Sequence, residues 1–544
     1  MWLVGFLKKS LLECSIGKKG MKKAYDVVVV GGGIAGLTAA AYCARAGLSV
    51  LLCEKQDRIG GLVHSFSRNG FVYDQGIRAI ENSGIVFPML KQLGIELSWV
   101  RSLVTLALAE KKVAVQDTAS LDVYQRMLEE LFEENVGDIA LIMAEIRKIT
   151  TYMDVLYGID NPLFLDNYQD LGYVRKTLLP WLFKYLRTIG KIGKLNEPVV
   201  SYLGKFTKNQ VLIDIISQHF FADTPTFFAL SYFGLYCEYQ YPMGGTGKLT
   251  EALHTYLQQH NVDIRLNCQV TSFDAENRRL LEDISYGTLI WAADLKALYR
   301  SVDEKQLSLK AKRHKQTLET KHGGDSIFTY YIAVDLPPTY FSALSTPHLF
   351  YTPSMVGQST VDQTALEETC HDKAIIKQYL QAYCAATTYE ISIPVLRDSS
   401  LAPEGKTALI VSTLASYQLF SKIEKDGWYE EAKLFMQDCM RTVLHSGMYP
   451  CLSDHVLEEF SATPLTLSRL TANSEGAITG WAFTEGEVPV VHSLKRITKS
   501  VHTEIEHVLQ AGQWTFSPSG LPISIMTGKL AAEQAIKAAK RGRL

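Results

Sequence analysis

No charge of one sign dominates this chain of 544 residues: 55 Lys and Arg stand against 57 Asp and Glu, a formal net charge of −2. Near balance argues against a dedicated nucleic-acid binder, which needs a strong positive field to hold a phosphate backbone. No C-x-x-C pair occurs among the nine cysteines, which lie unpatterned from Cys14 to Cys451. An odd, scattered set reads as reduced, buried thiols of a cytoplasmic protein, with no metal site. No run of eighteen apolar residues is present, so no membrane-spanning helix is expected. Internal repeats and low-complexity tracts are lacking. A secretory signal is not expected either, because the short apolar run at residues 2–7 precedes its lysines, Lys8 and Lys9, instead of following them. Met21-Lys22-Lys23 sits just before the first strand, so residues 1–20 are read as an extension outside the fold.

What is present begins directly after that point. Asp26-Val27-Val28-Val29-Val30-Gly31-Gly32-Gly33-Ile34-Ala35-Gly36 joins a β-branched run to a G-x-G-x-x-G turn, and a Leu/Ala-rich helix pattern follows. Ser49-Val50-Leu51-Leu52-Cys53-Glu54 then supplies a second strand ending in an acid. In such a βαβ unit Gly31 permits the tight turn, Gly33 the approach of a pyrophosphate, and Gly36 the packing of helix on strand. The phosphates would sit at the helix N-terminus around Ile34 and Ala35, where unpaired N–H groups favour negative charge. Glu54, about twenty residues on, is placed to accept from a ribose hydroxyl.

Further segments extend the site. Glu54 and Lys55 lead into Arg58-Ile59-Gly60-Gly61-Leu62, and Phe71-Val72-Tyr73-Asp74-Gln75-Gly76 follows. In mid-chain, Tyr241-Pro242-Met243-Gly244-Gly245 precedes a helix pattern ending near Gln259, with strand patterns at 262–266 and at 268–270, the latter ending in Val270. Near the end come Gly476-Ala477-Ile478-Thr479-Gly480-Trp481, then Gly512-Gln513-Trp514 and Ser519-Gly520-Leu521-Pro522-Ile523, which opens a last helix. Together these segments resemble the FAD signatures of the phytoene desaturase and amine oxidase superfamily. Within it they look most like the phytoene desaturase, carotenoid isomerase and retinol saturase branch. The resemblance implies FAD as cofactor, held by Gly31, Gly33, Ile34, Ala35, Gly36, Glu54, Lys55, Arg58, Gly60, Gly61, Leu62, Val270, Gly512, Leu521, Pro522 and Ile523. Two departures stand out: Leu62 where many relatives carry Arg, and Ile77-Arg78 where Ala/Pro-His is common.

The implied fold is α/β: a discontinuous Rossmann-like FAD-binding domain (21–105, 240–300, 480–544) with an inserted α+β substrate domain (106–239, 301–479). Residues 120–235 read as mostly helical, and 326–335 and 408–412 as buried strands. The stretch 171–195 carries Arg175, Lys176, Lys184, Arg187, Lys191 and Lys194 and no acid. Its last four cations share one helical face, with Leu179, Leu182, Leu186 and Ile189 on a roughly opposite one. The preferred expectation is that the leucine face docks on the protein; the alternative is a peripheral membrane contact.

No catalytic residue stands out, as hydride removal from a polyene requires no strong base. Arg78 is expected to pair with a carboxylate such as Glu81, and His64 to be a structural loop residue. The aromatic group Phe220, Phe221, Phe227, Phe228, Tyr232, Phe233, Tyr236, Tyr239 and Tyr241 reads equally as a tunnel over the flavin or as core. With no second G-x-G-x-x-G, a nicotinamide domain is not expected and the electron acceptor stays open. The expected activity is that of a FAD-dependent oxidoreductase on C=C or C–C bonds of an apolar unsaturated molecule. Flavin amine oxidase and a non-catalytic flavin protein are the alternatives. A cytoplasmic location, with contact at the inner face of the membrane as an option, completes the expectation.

Overall fold

The computed structural model describes residues 23–166, 171–281, 283–484 and 488–542. The valine run forms the strand Ala24–Val30, in which Val27, Val28 and Val29 are fully buried. A strand covered on both faces has no polar alternation, which explains the continuous run. Val50–Cys53 pairs with it in parallel on one side and Ile284–Trp291 on the other. Asp263–Arg265 and Val508–Gln510 extend the parallel set at its two ends. The five strands therefore come from the beginning, middle and end of the chain. The helix Ile34–Arg45, buried from Ile34 to Cys43, packs between this sheet and the last helix, Leu521–Gly542. The strand expected at 268–270 is not formed; that segment runs irregularly, tied by Cys268 N–H to the Glu54 carbonyl.

A second sheet runs in the order Val456–Ala462, Ser326–Val334, Thr407–Ala415, Tyr389–Ser392, His348–Thr352, Val104–Leu108, Lys111–Val115. All its pairs are antiparallel except His348–Thr352 with Val104–Leu108. Leu349, Tyr351, Tyr389 and Ile391 belong to a core shared with the helices Lys373–Ala386 and Tyr429–Gly447. The opposite side chains of the same strands, His348, Phe350 and Glu390, face a cavity. Above them lie the helices Ser120–Leu131, Val136–Tyr157, Gln210–Ser217 and Thr226–Leu235 around their own apolar cluster. The chain is thus α/β, with a Rossmann-like parallel sheet and a second mixed sheet covered by helices.

Two expectations are corrected here. The thiols are not uniformly buried: Cys451 is exposed, and Cys237, Cys370 and Cys439 are half-buried. The leucine face of Leu179–Ile192 docks only at its Ile189 end. Leu179, Leu182, Phe183 and Leu186 stay exposed, Phe183 by 70%. The helix instead buries Thr188, Ile189 and Ile192 and anchors Trp181 Nε1 on the Val155 carbonyl at 2.7 Å. Tyr185 and Trp181 have taken the inward face, because large rings there cover more apolar area than leucines would.

Candidate functional site

A single cavity of about 450 Å³ lies between the two sheets. Its first end is lined by Gly31, Gly33, Ile34, Ala35, Glu54, Lys55, Arg58, Gly60, Gly61 and Leu62, by Val270, and by Gly512 and Leu521. Three distant stretches of chain thus meet around one space. Gly36, Pro522 and Ile523 do not line it. Gly36 is buried where the helix meets the sheet, and Pro522 sits buried in the first turn of Leu521–Gly542. Gly31 takes φ +104°, and a Cβ there would lie 2.5 Å from the Ala292 carbonyl oxygen, so the turn admits no side chain.

The Glu54 carboxylate is fixed by backbone donors: Gly32 N–H at 2.6 Å on one oxygen and Gln56 N–H at 2.8 Å on the other. Each oxygen retains acceptor capacity toward the cavity. Lys55 turns away and donates to the Arg469 carbonyl at 3.0 Å, and burial lowers its ammonium from the ordinary value. Arg58 is half-exposed at the rim. His64 also borders the cavity, its imidazole pushed down first by burial and then by Arg58. Sequence reasoning missed two members of this end. The Thr479 and Ser519 hydroxyls are buried without a hydrogen-bond partner, and both residues line the cavity. Their loop is held by Trp481 Nε1 on the Trp514 carbonyl and by Trp514 Nε1 on Asn473.

The far end is aromatic. Phe220, Phe221, Phe228, Tyr232, Tyr236 and Tyr239 line it together with His219 and Phe350. Phe233 is core, packed on Tyr124 and Phe220, and the Tyr241 hydroxyl donates to Asp74 at 2.8 Å. The two readings of the aromatic group therefore apply to different members of it. Burial holds the His219 imidazole down at about 4, so it is neutral.

Polar side chains also enter this end. Arg78 is buried and donates to the carbonyls of Asp74 and Gly76 and to Ser412 Oγ. The expected Arg78–Glu81 ion pair is not formed, because backbone carbonyls and a hydroxyl already occupy the guanidinium. Glu81 borders the cavity, and burial pushes its carboxyl up from 4.5 to about 7. A carboxyl whose folded-state value is raised stabilises the fold fully below its unfolded value. That contribution is lost as pH rises through about 7. Glu81→Gln should therefore melt with the wild type near pH 4.5 and above it at pH 8, by about 2–4 °C. Thermal melts across that range check it, and an unchanged difference at both ends refutes it.

A family model described as an NAD(P)-binding Rossmann-like domain matches residues 29–93. The human all-trans-retinol 13,14-reductase is 40% identical over 73 residues, 13% of this chain and 12% of that protein. The chain thus aligns with only a small part of that relative. Longer alignments join it to the chloroplastic prolycopene isomerase of Daucus carota, 24% identical over 84% of this chain and 72% of that one. Another joins it to the phytoene dehydrogenase of Streptomyces griseus, 23% identical over 93% of this chain and 94% of that one. Among solved structures, an oxidoreductase from Methanosarcina mazei superposes with a TM-score of 0.59 at 14% identity, covering 94% of this chain and 99% of that one. The cyclohexylamine oxidase of Brevibacterium oxydans does so with a TM-score of 0.54 at 13% identity, covering 95% and 100%. At such identities the superpositions speak for the fold alone. The likeness to the prolycopene isomerase and the phytoene dehydrogenase, first carried by motifs, extends along most of the chain, and that to the retinol reductase over 13% of it.

Proposed function

We propose that the chain is a FAD-dependent oxidoreductase acting on C=C or C–C bonds of an apolar unsaturated molecule of carotenoid, retinoid or lipid type, by desaturation, saturation or isomerisation. The observation that carries this reading is the single cavity joining a dinucleotide-type end to an aromatic end. Its first end fits the cofactor: a turn with no side chain, an acid facing inward, and two orphaned hydroxyls at Thr479 and Ser519. In this reading Glu54 accepts from a ribose hydroxyl, the N-terminus of Ile34–Arg45 meets phosphate, and the two hydroxyls donate to the ring system. Bound FAD would supply the capacity to take up or return an electron pair. The chain's own share is positional. Phe220, Phe228, Tyr232 and Tyr236 exclude water and hold the apolar molecule against the other end.

The substrate is proposed to arrive from a lipid surface on the cytoplasmic side of a membrane. No helix among the described residues is long and apolar enough to cross a bilayer. Leu179–Ile192 instead offers an outward row of Leu179, Leu182, Phe183 and Leu186. Exposed Lys184, Arg187 and Lys191 lie beside it, and no acid occurs in 171–195. That pairing suits shallow insertion into an anionic interface. Through Val155 the helix leans on Val136–Tyr157, whose Tyr157 neighbours Glu81 in the cavity wall. Phe183→Ser with Leu186→Ser should cut binding to phosphatidylglycerol vesicles about tenfold or more in a flotation assay, since each change removes apolar area from the interface. Unchanged flotation would remove the membrane contact from the proposal.

The main reading is tested on the full chain purified with its bound small molecules. FAD released by denaturation and a polyene or lipid in the apolar extract are the expected results. Failure to bind FAD even on reconstitution overturns the proposal. Bound FAD that turns over amines with release of peroxide transfers the chain to the amine oxidase alternative.

A further inference from the structure

The aromatic end of the cavity is not wholly apolar, and its polar part has a built form. Strand alternation places His348, Phe350 and Glu390 on the cavity side of the second sheet. Glu390 is in register with Phe350 on one neighbour and with Ser412 on the other. A core requires no charge on that face, and an ionised carboxylate there is costly unless it is compensated. The compensation comes from three sides. His348 Nε2 lies 3.1 Å from Glu390 Oε1, Arg78 is hydrogen-bonded to Ser412, and Arg397 stacks on Tyr241 at 4.1 Å while donating to the Arg78 carbonyl. Burial alone would raise the Glu390 carboxyl, yet His348 and the two guanidiniums hold it below the ordinary carboxylate range.

Two observations indicate that this group is presented rather than merely buried. Glu390 keeps 36% of its side-chain surface open, and as a lining residue it opens into the cavity. His348 is 1% exposed, and neither ring nitrogen has a hydrogen-bond partner, its approach to Glu390 being out of line. Burial pushes this imidazole down on balance, against the upward pull of the Glu390 carboxylate beside it. One contact at Oε1 leaves the carboxylate further acceptor sites toward the cavity.

We propose that Glu390 is a recognition site for a hydroxyl group, so that the molecule bound is a long unsaturated alcohol rather than a bare hydrocarbon. This rests on the reading of the cavity as the seat of an apolar unsaturated substrate. A hydroxyl is favoured over an ammonium by the charges already present. Arg78 and Arg397 balance Glu390 and Asp74, and a further cation would bring uncompensated charge into a water-poor space. The hydroxyl donates to the carboxylate, and the hydrocarbon tail lies along Tyr232, Tyr236 and Phe350.

The test is equilibrium binding to the full-length protein, read by fluorescence, of three probes. They are all-trans-retinol, the matching hydrocarbon with CH₃ in place of CH₂OH, and the matching primary amine. The alcohol should bind about 10- to 100-fold more tightly than the hydrocarbon, the range for a hydrogen bond to a charged group. Glu390→Leu should erase that preference, and Glu390→Gln, which still offers an acceptor, should keep part of it. If the leucine variant does not fold, the glutamine variant and the wild-type comparison decide alone. Equal affinity for alcohol and hydrocarbon, or tighter binding of the amine, overturns the assignment of Glu390 and leaves the apolar cavity standing. A wild type that binds no polyene at all overturns the parent reading and this inference with it.

Discussion

Gly33→Leu is expected to yield a folded protein that has lost FAD affinity by about 100-fold or more, equivalent to roughly 3 kcal/mol. The reasoning is geometric. A Cβ built at Gly33 meets no protein atom within 4 Å, so the space beside it belongs to the cavity. Its φ of −73° is one that any L-residue adopts, and the backbone resists nothing. Replacing a glycine under those conditions costs the fold little and restricts the unfolded chain, an effect of at most about 1 kcal/mol in either direction. The added side chain lies in the space proposed for the pyrophosphate, between the turn and Gly60–Gly61, whose own Cβ at Gly61 would come within 3.2 Å of Gly33 Cα. Equilibrium dialysis with FAD, beside a thermal melt of the apoprotein, separates the two effects. A leucine variant that takes up FAD as the wild type does would place the phosphates elsewhere.

Gly36→Ala, three residues along the same motif, should fail for the opposite reason. Here an added Cβ would lie 1.9 Å from the Gly31 carbonyl oxygen and 3.2 Å from Ala292 Cβ. The first neighbour is backbone in the tight turn and the second directly follows the strand Ile284–Trp291, so no rotamer change relieves the clash. The helix must move off the sheet, and it is pinned from behind by Leu521–Gly542. Overpacking of a rigid junction costs about 3 kcal/mol or more, enough to make the nucleotide half unfold first. Urea unfolding followed by tryptophan fluorescence reads this directly, and a variant as stable as the wild type would contradict the packing described. Two glycines of one signature thus carry different duties, one toward the ligand and one toward the fold.

That division was legible in the motif itself, whereas the rest of the site was legible only in part. Local signals located the βαβ unit, the helices Lys248–Gln259 and Leu521–Gly542, and the buried strands Ser326–Val334 and Thr407–Ala415. Each rests on interactions between near neighbours in the chain: β-branched runs, a glycine turn, a proline in the first helical turn. Amphipathicity was legible too, but not its direction. Three faces share Leu179–Ile192, and pattern alone assigned the leucines to the interior, whereas Trp181 and Tyr185 occupy it. Arg78 shows the same limit. Its nearest acid in sequence is Glu81, yet its partners are two carbonyls and a serine more than three hundred residues away.

By itself, the order of residues determined that a dinucleotide-type turn exists, which strands and helices flank it, and that no nearby segment supplies a catalytic acid or base by motif. Tertiary structure alone decided which end of the cavity is aromatic, that Thr479 and Ser519 reach the other end, and that His348, Glu390 and Arg78 converge from separate elements. The reason is the range of the forces involved. Turn geometry and strand propensity act within a few residues. Burial, compensation of charge and the shape of a cavity depend on which distant segments the closing of two sheets brings face to face.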